Sequence, residues 1–348
     1  MKINDIFKQP KNNFAAGNFW INLNYLSKGN TDCLKGIFSI FVVICHMRSR
    51  ILILNDTLLG ALCTAMGYLS VSVFFFVSGY GLMSSYQKKG KLYIERFWRT
   101  RICPFYIVIL VIVAIYAVYE LIIGEYFTIF DIIKSITFGN VIIKNGWYLQ
   151  AALMLYIFFW IVFDLFSQFK GQLRAMLLCC IGYTLLCIAL NMGTYWYESV
   201  FSFLLGIIWC ANKEKIDGKI NQKRNYFICL ISSFALFSVT LIMGNTGLLK
   251  IQGLILACKM ISAVSFVLLV LFLIMRMNIQ NIVTQKLGTI SLEIYVMQGI
   301  PLTFFRGGAQ WYIQSDLQYV FAVTVSTLLL AMLLHPLVQM IYKRFKSN

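Results

Sequence analysis

The stretch TDCLKGIFSIFVVICHMRSR (31–50) sets Asp32, Lys35, Ser39, His46 and Arg50 into an otherwise largely apolar run. At about 100° per residue, with Lys35 at zero, His46 falls at about 20°, Ser39 at about 40°, and Asp32 and Arg50 at about 60°. The five share one helix face, and the remaining faces are mostly Ile, Phe, Val, Leu and Cys. An ionisable group inside an apolar span is costly and marks a functional site by default, so this face is expected to line a wet cavity. Eleven residues carry the chain from Lys35 to His46, roughly 16 Å of helix and about half of a ~30 Å hydrocarbon core. His46 is the one member of the stripe that gains and loses a proton near neutral pH, which suits a general base. An imidazole can equally carry a transferred group covalently, and the sequence does not separate the two roles. Arg50, one turn onward, favours the neutral imidazole. The same pattern also suits a packing histidine with Arg48 and Arg50 as snorkelling anchors.

These residues need spans to hold them. Of 348 residues, 60% are hydrophobic and 12% charged, against about 45–50% and about 25% in soluble domains. The apolar residues come in blocks of about 20, the length that crosses a bilayer. A soluble enzyme, a disordered regulator and a nucleic-acid-binding domain are thereby excluded. Candidate spans fall at about 34–54, 58–86, 102–124, 147–168, 173–191, 195–211, 225–243, 253–276, 287–305 and 319–342. The fold class expected is all-α, a polytopic membrane helix bundle with about ten transmembrane helices. The net charge of +17 then reads as topology: Lys and Arg number 22 in the loops on the side of both termini and 6 in the alternate loops. That asymmetry places both termini in the cytoplasm.

Residues 1–32 are expected as a cytoplasmic or interfacial N-terminal segment without the apolar run of a cleavable signal. Within it Phe14, Phe19, Trp20, Ile21, Leu23, Tyr25 and Leu26 suit a short helix lying in the membrane interface. Residues 33–348 form the transmembrane domain, and the 124–146 loop is apolar enough to hug the membrane or fold back into an outer cavity. No internal repeat is visible, and the four prolines do not mark matching breaks in two halves, against a transporter of inverted repeats. The ten cysteines lie in or beside apolar blocks without zinc-ligand spacing; they are expected to pack as small hydrophobes, and no metal is predicted.

Six motifs occur in order along the chain: LKGIFSIFVVICH (34–46), SVSVFFFVSGYGL (70–82), RFWRTRICPFY (96–106), NGWYLQ (145–150), FSFLLGI (201–207) and LGTISLEIYVMQ (287–298). Together they resemble the acyltransferase-3 family, integral membrane O-acyltransferases that modify surface polysaccharides and related glycans. The family usually has Arg where Lys35 stands, so the charge is kept without the planar guanidinium fork. The last motif commonly ends in His, where this chain has Gln298.

The resemblance implies transfer of an acyl group, usually acetyl, from cytoplasmic acyl-CoA to a sugar hydroxyl of a cell-surface or lipid-linked glycan, in a bacterial plasma membrane. Catalytic roles are expected for His46, Lys35 and Glu293, the last by pairing with Lys35, orienting His46 or simply neutralising charge. Arg96, Arg99, Arg101 and Ser78 are expected at the donor. Cations at a helix start oppose its macrodipole, which suits an arginine cluster to the CoA phosphates as well as to membrane anchoring. Ser78 also fits a small-residue packing seam with Gly67, Ser70, Gly79 and Gly81. Trp147, Tyr148 and Arg50 are expected at the acceptor, the two aromatics stacking on a sugar or forming an interface belt. Glu198 and Lys259 receive no role, and His335 a structural one. Expected partners are acyl-CoA, the glycan or lipid-linked sugar acceptor and membrane lipids, with no nucleic acid. A sugar flippase or an accessory subunit of polysaccharide export would share the hydropathy and the basic loops.

Overall fold

The computed structural model describes residues 22–51, 57–138, 142–307 and 311–346, and among these the regular structure is entirely helical. In chain order the elements are α1 (Lys28–Arg48), α2 (Leu58–Lys89), α3 (Lys91–Glu95), a π-helical turn (Trp98–Ile102) running into α4 (Cys103–Ile122), α5 (Ile129–Phe138) and α6 (Trp147–Leu165). They continue with α7 (Phe169–Ala189), a 3-10 turn (Thr194–Trp196), α8 (Phe201–Ala211), α9 (Lys213–Ile220), α10 (Lys223–Asn245) and α11 (Gln252–Arg276). The chain closes with α12 (Ile282–Thr289), α13 (Ser291–Met297), α14 (Gly299–Arg306) and α15 (Asp316–Lys346).

Among the described residues, eight helices are long and apolar enough to cross a membrane: α1, α2, α4 with its π-turn, α6, α7, α10, α11 and α15. The other two expected spans fold in pieces. The stretch before α8 is broken by Asn191, at a positive φ of 52°, and by the 3-10 turn, leaving an eleven-residue helix. The stretch 282–306 is divided at Ile290 and Gln298 into α12, α13 and α14. Pro301 has no N–H for the carbonyl of Met297, and the phenol of Tyr116 donates to the carbonyl of Val296 at 2.6 Å.

Both broken segments pack on the helices that carry the candidate chemistry. A methyl group on Gly79 would stand 2.1 Å from the carbonyl oxygen of Phe203, and one on Gly206 2.2 Å from that of Phe76. Only glycines allow α2 and α8 this approach. Ser199 donates to the carbonyl of Tyr68 and Cys210 to Gln87 Oε1, so the chain through α8 runs in the direction of α2. Between α1 and α12 a Cβ on Gly36 would lie 1.9 Å from the Thr284 oxygen, and one on Gly288 1.7 Å from the Asp32 oxygen. At the opposite end Arg50 and Arg306 each donate a guanidinium N–H to the other's carbonyl, at 2.6 and 2.7 Å. The segment α12–α14 therefore accompanies α1 from one end of the bundle to the other.

Helix α1 begins at Lys28 and not near 34, capped by Ser27, because packing buries the polar Asn30 and Asp32 of its first turns. Phe14, Phe19, Trp20 and Ile21 of the expected interfacial helix lie outside the described residues. Tyr25 and Leu26 are core residues instead. The Tyr25 phenol donates to Asp217 at 2.9 Å and accepts from Trp209 Nε1 at 2.7 Å, tying the start of α1 to α8 and α9. The 124–146 loop does fold back: Ile142 and Ile143 are buried, and the amide of Gln150 donates to the carbonyls of Ser135 and Ile136.

Candidate functional site

Among the described residues, two cavities lie toward opposite ends of α1. The larger, about 740 Å³, is lined by Lys28, Lys35, Lys88 and Arg101 together with Asp32 and Ser78, and walled by Phe74, Tyr148, Tyr156 and Tyr295. Four cations against one carboxylate give it a positive field, focused by the apolar walls. Lys35 is paired with Asp32 one turn back, at 2.7 Å. Arg101 sits in the π-helical turn, a local distortion common at functional sites, with its guanidinium 5.9 Å over the Tyr93 ring. Arg96 and Arg99, on the same short segment, are exposed and lie outside the cavity lining.

The second cavity, about 350 Å³, is lined by His46, Glu198 and Lys259 with Asn145, Trp147, Thr194, Tyr195 and Asn245, among others. His46 Nδ1 is buried and has no hydrogen-bond partner among the described residues, and the side chain of Gln298 is set beside the imidazole. Gln298 is fully buried at the joint between α13 and α14, where its amide donates to the carbonyl of Tyr295 at 2.8 Å.

Tyr295 lines both cavities. Its phenol donates to the carbonyl of Asn145 at 2.6 Å, and its ring centroid lies 5.0 Å from that of Tyr148. Tyr148 in turn packs on Phe75 at 5.2 Å. A single aromatic layer, fixed by one hydrogen bond to backbone, thus separates the cation-lined space from the histidine-lined one.

The expected polar stripe of α1 is accordingly divided. Asp32 and Lys35 face the basic cavity and His46 the other. Ser39, between them, is fully buried and donates to the carbonyl of Gly36, so the face does not line one continuous channel. Arg50 lies beyond the end of α1 and is held by Arg306, away from His46. Glu293 is brought neither to Lys35 nor to His46: its carboxylate meets His335 Nδ1 at 2.7 Å. Neighbours Trp147 and Tyr148, in the first turn of α6, look into different cavities. Trp147 packs against Tyr195 at 5.4 Å. Lys28, Lys88, Tyr295, Glu198 and Lys259 were not singled out as site residues from the sequence. The first two read as ordinary loop cations, and Tyr295 as one apolar position among many. Glu198 and Lys259 were visible as intramembrane charges, which was the one available signal.

A multi-helix membrane bundle, with a cation-lined cavity and a histidine-lined cavity sharing one wall, is the class that fold and site define together. A family model described as Acyltransferase domain, Acyl_transf_3, matches residues 29–335, from the second residue of α1 to His335 in α15. The chain belongs to the acyltransferase-3 family and is a membrane acyltransferase. No curated protein and no solved structure matches it.

Proposed function

We propose that this acyltransferase moves an acyl group, in the first instance acetyl, from cytoplasmic acyl-CoA to a sugar hydroxyl of a cell-surface or lipid-linked glycan on the far side of the plasma membrane. The observation that carries the reading is Tyr295: one side chain walls both a cation-lined cavity and the cavity holding His46. The 22-to-6 distribution of Lys and Arg assigns the basic end, and with it both termini, to the cytoplasm. Ten crossings then follow when α8 and α12–α14 are counted with the eight continuous helices.

Lys28, Lys35, Lys88 and Arg101 suit the pyrophosphate of CoA, with Arg96 and Arg99 outside the cavity meeting the more distant 3′-phosphate. Ser78 gives a hydroxyl beside the thioester arm. The thioester reaches the aromatic layer of Tyr148 and Tyr295, and the acceptor hydroxyl approaches His46 from the other side. The imidazole takes the hydroxyl proton as the oxygen attacks the thioester carbonyl, the C–S bond breaks, and the CoA thiolate leaves toward the basic cavity, where cations stabilise it. Glu293 acts through His335, holding α13, and with it Tyr295, against α15. Trp147 supports the sugar ring, and Arg50 keeps the outer end of α1 in place.

Transfer of labelled acetyl from acetyl-CoA to a sugar acceptor by the purified protein in proteoliposomes tests the reading. Label in the sugar is the expected result. Sugar translocation without transfer of label would overturn it in favour of a flippase.

A further inference from the structure

Beyond His46, the second cavity contains an ion pair, its carboxylate buried and its lysine partly so, that the reaction scheme leaves unused. Glu198 lies in the turn before α8, Lys259 on α11, and their charged atoms stand 3.6 Å apart. Glu198 is 5% exposed, yet its Oε2 has no hydrogen-bond partner among the described residues. Lys259 is accommodated because residue 244 of α10 is glycine: a Cβ there would stand 3.2 Å from Lys259 Cγ. Thr194, Asn145 and Asn245 line the same space, and the rings of Trp147 and Tyr195 close one side.

Two buried polar atoms that make no hydrogen bond of normal geometry among the described residues, His46 Nδ1 beside Gln298 and Glu198 Oε2 at 3.6 Å from Lys259, thus belong to one 350 Å³ cavity. Leaving such atoms unpaired is costly, and more so for a charged group. A carboxylate accepts hydrogen bonds only, so its partner must bring a donor. We propose that Glu198, positioned by Lys259, is the acceptor-binding residue of this enzyme. It takes a hydrogen bond from a second hydroxyl of the sugar while His46 meets the hydroxyl to be acylated. The ligand class is a pyranoside with at least two free hydroxyls, whose C–H face rests on Trp147 and Tyr195 and whose remaining hydroxyls meet Asn145, Asn245 and Thr194. A purely apolar alcohol would leave the carboxylate with only its long contact to Lys259 and bind poorly.

This inference rests on the acyltransferase reading above, and the experiment keeps the two apart. Wild type, Glu198→Gln and the charge-neutral pair Glu198→Gln/Lys259→Met are reconstituted in nanodiscs with acetyl-CoA and a panel of methyl hexopyranosides. Both variants are expected to raise the acceptor KM roughly 10–100-fold, the loss of a hydrogen bond to a charged group, with the KM for acetyl-CoA unchanged. If the pair merely neutralised itself within the bundle, removing both charges together would restore the wild-type acceptor KM. That recovery, or an unchanged acceptor KM in Glu198→Gln, overturns the proposal. Absence of transfer by wild type to any sugar overturns the acyltransfer reading instead. The subsite is then decided by saturation-transfer NMR of the same methyl hexopyranosides, whose signal is expected in wild type and lost in both variants. Equal signal in all three overturns the subsite.

Discussion

At the residue scale, burial separates cations that look alike in sequence. Arg101 faces the basic cavity, while Arg96 and Arg99 are exposed five and two residues earlier. A pair between an exposed arginine and a phosphate is worth about 0.2–1 kcal/mol and is screened by salt; a charge-assisted hydrogen bond inside the cavity is worth about 1.5–3 kcal/mol. Arg101→Ala should therefore weaken acetyl-CoA binding roughly 10–100-fold at low and high salt alike. Arg96→Ala with Arg99→Ala should weaken it only several-fold, and 0.5 M KCl (about a 4 Å Debye length) should erase the difference from wild type. Calorimetric titration of acetyl-CoA at two salt concentrations reads this directly. The placement of His46 and Lys35 on one helix was legible in the sequence, where 3.6-residue geometry fixes their relative directions. The partner of Glu293 was not, because His335 is 42 residues away on α15 and no local period relates them. Nor could spacing show that Ser39 is absent from the lining of both cavities, since burial depends on helices distant in sequence.

At the element scale, hydropathy located every long helix, since about 20 apolar residues announce a span whatever it packs against. It could not show that the segments around 195–211 and 287–305 are interrupted, because breaks at the Thr194–Trp196 turn, Ile290 and Gln298 leave average hydropathy nearly unaltered. The interruptions matter, since the joint between α13 and α14 is what sets Gln298 beside His46. The α1–α12 crossing that holds this segment in register depends on Gly36 and Gly288, with carbonyl oxygens 1.9 and 1.7 Å from where a methyl group would sit. Backbone cannot yield as a side-chain tip does, so Gly36→Ala should cost at least the ~1–3 kcal/mol typical of overpacking. Thermal unfolding in detergent should show a clearly lowered midpoint for Gly36→Ala. Gly81→Ala, where no atom lies within 4 Å of the added carbon, should unfold close to wild type.

At the scale of the whole molecule, the proposed function joins the charge asymmetry and the two cavities into one device: a cation-rich inner chamber, an aromatic layer, and an outer chamber with a base and a polar clamp. The two-chamber arrangement was not legible from the stripe on α1, which reads as a single wet face until Tyr148 and Tyr295 are seen to divide it. The central claim is that His46 serves the acceptor side of a transfer whose donor binds on the other side of that layer. The most direct test uses oriented proteoliposomes with acetyl-CoA supplied only at the cytoplasmic face and a sugar acceptor only at the opposite face. Wild type should label the acceptor. His46→Ala should lose about 10²–10⁴-fold or more in turnover, the usual consequence of removing a positioned base, while acetyl-CoA affinity stays at the wild-type value. Near-wild-type turnover by His46→Ala, or labelling only when donor and acceptor share one face, would contradict the account.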